Sequence, residues 1–554
     1  MGRTEQTNRG RATSRSRYSR REFIAASTSL VGSLAYVRPG AARSSAFAPE
    51  IPEATDIVVL GGGTAGAIVA AAAGSRSSAD VLLLEAGPDY GALDNDGWPA
   101  DLLDASETAT SHDWGFKGRA HPAQSEAISF GRARVIGGCS SHNHCFVAIG
   151  DPSDYDEWEK LGNPGWNWAS VQPAFDRAKH ALRVRIPRND ELTPYENMFL
   201  DRANESGIPR LRDLNDPEHK VGAAGVPVNV SHGVRWNTSF AYLDPVRRQQ
   251  NLTIAGDTLV DRIRVRHGRV VGVEAIIQGR SRFIEAGRVV ISAGAYGSPL
   301  VLMRSGIGNA DELRRLGIDP VLDLRAVGRH LADHPILAIS FRGSRKLDRH
   351  MIGFQSEHWT MNGQALARAR SGLARDTFDL HLITTYGRGR GEPDGRYHLL
   401  VSVVASRSVG AIHLASSDPE ASPRIEHAYL SDPEEYDVTA MADGVELARE
   451  IMSGLQNAGW LLDEVSPGPK VSTRAQLTQW IKSVVGPYDH AAGSCRMGPS
   501  NDRDAVVDSA GKVHGIDGLY VCDASIFPRI MRANTNLPTA MVGERIAAGL
   551  FTPR

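Results

Sequence analysis

Two short aliphatic runs, separated by glycines and an alanine-rich stretch, give the clearest element prediction in the chain. Ile57–Leu60 and Val81–Leu84 are continuous apolar runs, the pattern of strands covered on both faces. Between them the chain reads GGGTAGAIVAAAAGS, in which the glycines predict a tight turn and the alanines a helix. Gly61, Gly63 and Gly66 form G-x-G-x-x-G between strand and helix, with Thr64 and Ala65 inside the motif. Glu85 ends the second strand, nineteen residues beyond Gly66. A strand–turn–helix–strand of this kind brings backbone close to a pyrophosphate at a helix N-terminus, and the acid accepts ribose hydroxyls. The motif predicts a bound dinucleotide without choosing FAD over NAD.

A third apolar stretch, Phe23–Val37, has a different meaning. It follows SRREF and precedes SAFAPE, with Ala46 and Ala48 placed as a cleavage site. Ser19, Arg20, Arg21 and Phe23 stand as in a twin-arginine export signal. The run is shorter than the ~20 residues that cross a bilayer. Residues 1–48 are therefore expected to be a signal peptide that sends a folded protein out of the cytoplasm, secreted or periplasmic, with a cytoplasmic protein as the alternative.

Charge sharpens this division. The 554 residues carry a formal net charge of −2, but the leader holds nine Arg against two Glu. The remainder is therefore acidic, which argues against nucleic acid as a partner. Composition, 41% hydrophobic and 23% charged, is that of a globular protein. No later apolar run is long enough for a membrane span. The four cysteines, Cys139, Cys145, Cys495 and Cys522, form neither a zinc spacing nor a disulfide framework.

The stretch GGCSSHNHC, residues 137–145, surrounds an asparagine with two imidazoles. His142 and His144 have no carboxylate or third ligand close by in sequence, so a metal reading is poor. Four segments in order resemble the glucose-methanol-choline (GMC) oxidoreductases. They are VLGGGTAGAIVA…LLLEAGPD; GRARVIGGCSSHNHCFVAIGDPSDYDEWEKLGNPGWNW; GAYGSPLVLMRSGIG; and DHAAGSCRMG followed by VCDASIFPRIMRANTNLPTAMVGERIA. The resemblance runs from residue 54 nearly to the end.

The resemblance implies FAD and the oxidation of an alcohol to a carbonyl by hydride transfer to flavin N5. It matches His490 to the family's active-site base and Asn534 to the group that orients the hydroxyl. A neutral imidazole beside the flavin suits the removal of a hydroxyl proton. It places Gly137, Gly138 and Asn143 along the cofactor, Val260 as a backbone contact to adenine, and Asp523 with Ala524 near the ribityl chain. Cys139 and His142 resemble the choline-oxidase-like branch, in which the matching histidine is bonded to the flavin 8α-methyl carbon. His142 is thus expected to carry FAD covalently. His144 stands where that branch has serine; it would either enter the substrate cavity or join a packed polar network.

The expected fold class is α/β. A discontinuous Rossmann-like FAD-binding domain (54–150, 235–335 and 487–554) is joined to a substrate domain of sheet and helices (151–234 and 336–486). GRGRGEPDGR (387–396) reads as a mobile basic loop. The stretch GQALARARSGLARDTFDLHL is rich in Arg and lacks Trp, a poor cage for a quaternary ammonium. Choline itself is therefore doubtful, whereas an amino alcohol, a sugar or aminoglycoside hydroxyl, or another hydroxymethyl compound remains open. Expected partners are that alcohol and oxygen or another electron acceptor, with a homodimer left open. A redox-silent lyase that keeps FAD, or a flavin-bearing binding protein, are the competing readings.

Overall fold

The computed structural model describes residues 49–387 and 395–551. The arginine-rich leader lies outside the described residues, as does most of the 387–396 segment.

Two sheets organise the chain. In the first, Ala54–Leu60 runs parallel to Val81–Leu84, with Ile57 opposite Val81, and parallel to Arg280–Ile291, with Val58 opposite Val289. The order is Leu252–Ala255, Val81–Leu84, Ala54–Leu60, Arg280–Ile291, Arg269–Ile277, Thr258–Arg266, and Leu519–Val521 also pairs with Arg280–Ile291. Val58, Val59, Leu82 and Leu83 are fully buried, as their unbroken apolar runs require. The helix Thr64–Arg76 is buried from Ala65 to Gly74. Its small side chains let the last helix, Asn536–Phe551, lie directly on it: a Cβ on Gly543 would stand 3.2 Å from Ile68 and 3.3 Å from the Ala65 backbone.

The second sheet is antiparallel, in the order Leu461–Ser466, Pro335–Gly343, Arg396–Val403, Leu380–Gly387, Ala365–Ala369, Gly222–Gly225. The long helix Tyr436–Asn457 packs on it through Ala440, Met441, Val445 and Ala448. Each sheet has its own apolar core. The helices Pro152–Lys160 and Trp168–Ala181 join the core of the first sheet, with Trp158 donating to the Arg529 carbonyl at 2.9 Å.

The chain passes from the first sheet to the second just before Pro335 and returns after Pro487. These two passes pair with each other. Ala332 and Ala492 exchange backbone hydrogen bonds of 2.9 Å, and the Tyr488 N–H donates to the His334 carbonyl at 3.0 Å. That register sets Asp333 and His334 beside Tyr488 and His490.

Candidate active site

At two positions of the motif after the first strand, Gly61 and Gly66, there is no room for a side chain. Gly61 has φ +93°, and a Cβ there would lie 2.5 Å from the Ser292 carbonyl oxygen; one on Gly66 would lie 1.9 Å from the Gly61 oxygen. A second glycine pair closes on the first. Gly137 (φ +83°) donates to the Gly62 carbonyl at 2.7 Å, and a Cβ on Gly138 would stand 2.7 Å from the Gly63 Cα. The helix that begins at Thr64 has no side-chain cap and no acid in its first turn, so its free N–H groups and dipole favour an anion. Gly66→Ala is expected to abolish cofactor retention and lower soluble yield sharply, because its Cβ would meet backbone; flavin absorbance per protein after gel filtration measures it.

Glu85 closes this cradle. Its Oε2 accepts from the Gly62 N–H and its Oε1 from the Gly87 N–H, each at 2.8 Å. Burial raises its pKa to about 7 against those two hydrogen bonds. Thr258 N–H donates to the Glu85 carbonyl at 2.8 Å, which brings the start of the strand holding Val260 next to the acid. The Val260 carbonyl accepts from Arg304 at 3.3 Å. Thr64 donates from its hydroxyl to Asn536 at 3.2 Å, and Ala65 is buried under the last helix. Asp523 is fully engaged as a brace: it accepts from Gly294 N–H at 2.9 Å, the Ser298 hydroxyl at 2.5 Å and Ser525 N–H at 2.8 Å. The neighbouring Ala524 carbonyl accepts from Gly493 at 3.1 Å.

His490 and Asn534 meet. The Asn534 Nδ2 lies 3.1 Å from His490 Nε2, and His490 Nδ1 lies 2.9 Å from His334 Nδ1. With the amide nitrogen donating, Nε2 carries the lone pair and Nδ1–H donates to His334. The Asn534 Oδ1 is buried without a partner. Burial, then the neighbouring His334, His381 and Arg132, hold His490 well below the ordinary imidazole pKa, and burial takes His334 down to about 3. Both rings are neutral at pH 7.

Sequence reasoning missed the residues that surround this base. Asp333 accepts from the backbone N–H of His490 (2.8 Å) and of His334 (2.7 Å) on Oδ1, and from the Tyr429 hydroxyl (2.7 Å) on Oδ2. Tyr488 packs its ring 4.0 Å from that of His490, and His381 lies beyond it at 6.4 Å. The signal available was LADHP: an acid and a histidine at the mouth of a strand whose next residues alternate as PILAISFRG.

The short helical turn Gly138–Ser141 carries GGCSSHNHC. His142 is partly buried, and its Nε2 is enclosed without a partner. Asn143 accepts from Cys145 N–H at 3.0 Å and so shapes the turn. His144 settles into a polar network: its Nε2 hydrogen-bonds the Asn362 carbonyl, its ring meets Phe146 edge-on at 5.0 Å, and burial takes its pKa to about 4. Among the described residues no cluster of three or more His, Cys, Asp or Glu side chains is placed to hold a metal ion.

The glycine cradle, the uncapped helix, Glu85 and the free His142 Nε2 all fit FAD. Comparison with known proteins decides the family: models described as GMC oxidoreductase match residues 55–336 and 406–543. The chain is a GMC oxidoreductase. Choline oxidase of Arthrobacter globiformis is 30% identical over 525 residues, covering 89% of this chain and 93% of that protein. Mitochondrial choline dehydrogenase of Mus musculus is 31% identical over 531 residues, 88% of each. The crystal structure of pyridoxine 4-oxidase from Mesorbium loti matches with a TM-score of 0.80 at 26% identity, over 89% of this chain and 98% of that one. As a GMC oxidoreductase the protein binds FAD and oxidises an alcohol, with a Rossmann-like cofactor fold and a sheet-rich substrate part.

Proposed function

We propose that this GMC oxidoreductase oxidises a primary alcohol to an aldehyde, with His490 as the base and Asn534 as the group that holds the substrate oxygen. When bound, FAD supplies a hydride acceptor at N5. The observation that carries the assignment is a neutral, buried His490 with its Nε2 lone pair 3.1 Å from the Asn534 amide. A hydroxyl inserted there donates its proton to Nε2 and accepts from Asn534 Nδ2. His334 accepts from Nδ1–H, which fixes the tautomer and leaves Nε2 to take the proton. The cofactor-binding segments are proposed to be 54–150, 235–335 and 487–554, and the substrate side 151–234 and 336–486, except that the helices Pro152–Lys160 and Trp168–Ala181 pack in the core of the first sheet.

Anaerobic mixing with a panel of primary alcohols tests this reading, with bleaching of the oxidised flavin spectrum as the expected result. A protein that no alcohol bleaches, but that cleaves cyanohydrins, is the redox-silent lyase instead. Oxygen or another acceptor then removes the electrons, and the acceptor that restores the oxidised spectrum identifies which.

His142 is proposed to be joined through Nε2 to the flavin 8α-methyl carbon. The 8α C–H bond and the imidazole Nδ1–H bond are broken as the N–C bond forms; the two protons go to solvent and the two electrons to the electron acceptor. Denatured wild-type protein is expected to keep a fluorescent flavin band on an acid-treated gel, and His142→Ala to release it all; flavin wholly extractable from wild type overturns the link. Residues 1–48 are proposed to direct twin-arginine export, which loss of export in an Arg20→Lys, Arg21→Lys variant tests.

A further inference from the structure

Resting on the alcohol oxidation proposed above, we propose that the substrate carries a carboxylate, or an equally small anionic terminus, and that Arg368 recognises it. Arg368 lies on the strand Ala365–Ala369, directly across from His381 on the neighbouring strand and from Gly222 on the other side. Cross-strand partners share a face, so the guanidinium stands beside the imidazole that adjoins Tyr488 and, through it, His490. These two side chains, with Gly150, Val226, Leu366 and Arg532, wall a small cavity.

The donors around this cavity are in excess. Arg368 is 5% exposed, yet its Nε has no partner; one Nη donates to the His219 carbonyl. The Arg532 Nε and the His381 Nδ1 are likewise buried and unpartnered. Arg532 donates from Nη1 to Asp154. Asp151, Asp213 and Asp216 reach Arg368 only through their field, and none pairs with it among the described residues. A buried guanidinium with an idle N–H is costly unless something accepts from it. Burial lowers its pKa to about 10, so it remains a cation at neutral pH. The Phe378 ring supports it at 4.9 Å and stacks on His381 at 5.7 Å, which holds both groups in place.

Size and charge together select the ligand. The free space is about 10 Å³, room for an atom or group the size of a water. A single carboxylate oxygen suits both the room and the donors, whereas a trimethylammonium offers no acceptor and meets like charge. Beside Arg368 an anionic terminus is therefore favoured over the quaternary ammonium of choline.

The test mixes FAD-loaded holoenzyme anaerobically with a chain-length series of ω-hydroxycarboxylates, each paired with its primary amide, and with choline. At the best length the carboxylate is expected to reduce the flavin with a kred/Kd about 10- to 100-fold above its amide. Arg368→Met should remove that preference by raising Kd for the carboxylate alone, and Arg368→Lys should restore part of it. Since the variant is buried, wild type provides an independent measure: butyrate should compete with substrate and butyramide should not. Equal rates for acid and amide, a preference for choline, or no competition by butyrate overturns the anion site while leaving alcohol oxidation intact. Failure of every alcohol to bleach the flavin overturns the function on which the inference rests, and the anion site with it.

Discussion

His490→Ala is expected to slow anaerobic flavin reduction by ~10²–10⁴-fold while flavin content stays at the wild-type level. The imidazole Nε2 is the one nitrogen that both faces Asn534 and is left as an acceptor once Nδ1–H donates to His334. Its neighbour His334 does not replace it: burial takes the His334 pKa to about 3, and its Nδ1 already serves as the acceptor. The pH profile gives a second reading of the same group. A histidine whose folded pKa is depressed keeps its neutral form as pH falls past 6.5 and loses it only on passing through the lower value. Stopped-flow reduction should therefore hold its rate to below pH 6.5 before declining. An acid limb centred at the ordinary imidazole pKa would contradict the burial that the crossing strands impose.

Asp333→Ala should produce the largest loss of stability of any substitution at the site. The carboxyl group satisfies two backbone N–H groups, those of His334 and His490, and the Tyr429 hydroxyl, all buried. Its removal strands three donors at about 1–3 kcal/mol each, so a loss on the order of 4 kcal/mol follows, read as a drop of roughly 10 °C in apparent Tm. Asp333→Asn should recover most of it, because the amide oxygen still accepts both N–H groups. Burial raises the acid to about 7. With the folded pKa above the unfolded one, its contribution is fully present below about pH 4 and is lost as pH rises through about 7. The asparagine variant should lack this component of the pH dependence of stability.

Much of the cofactor side was legible because its chemistry is local. The G-x-G-x-x-G turn, Glu85 and the glycine pair at 137–138 are demanded by backbone geometry within a few residues, so their spacing carries the information. His490 and Asn534 were found through motif resemblance, and the fold brings them into contact. What sequence could not give is the support around them. His334 and Asp333 matter only because two passes of the chain pair in one register, and Arg368 faces His381 only because their strands are neighbours. Nothing in the string ALARAR marks Arg368 as buried and Arg370 as exposed; Arg368 is covered because its strand is flanked by two others, whereas Arg370 lies past the strand's end. His144, balanced in sequence between cavity and network, goes to the network because the Asn362 carbonyl lies within reach of its Nε2.

The pairing of Ala332 with Ala492 also bears on how the molecule matures. His334 and His490 are 156 positions apart, and the glycine cradle too closes at long range, with Gly61 set against the Ser292 carbonyl. Closing so long a loop comes late and slowly in folding. Nucleotide pocket and base thus both wait on distant segments, since the first strand needs Arg280–Ile291 beside it and the helix after it needs Asn536–Phe551 above it.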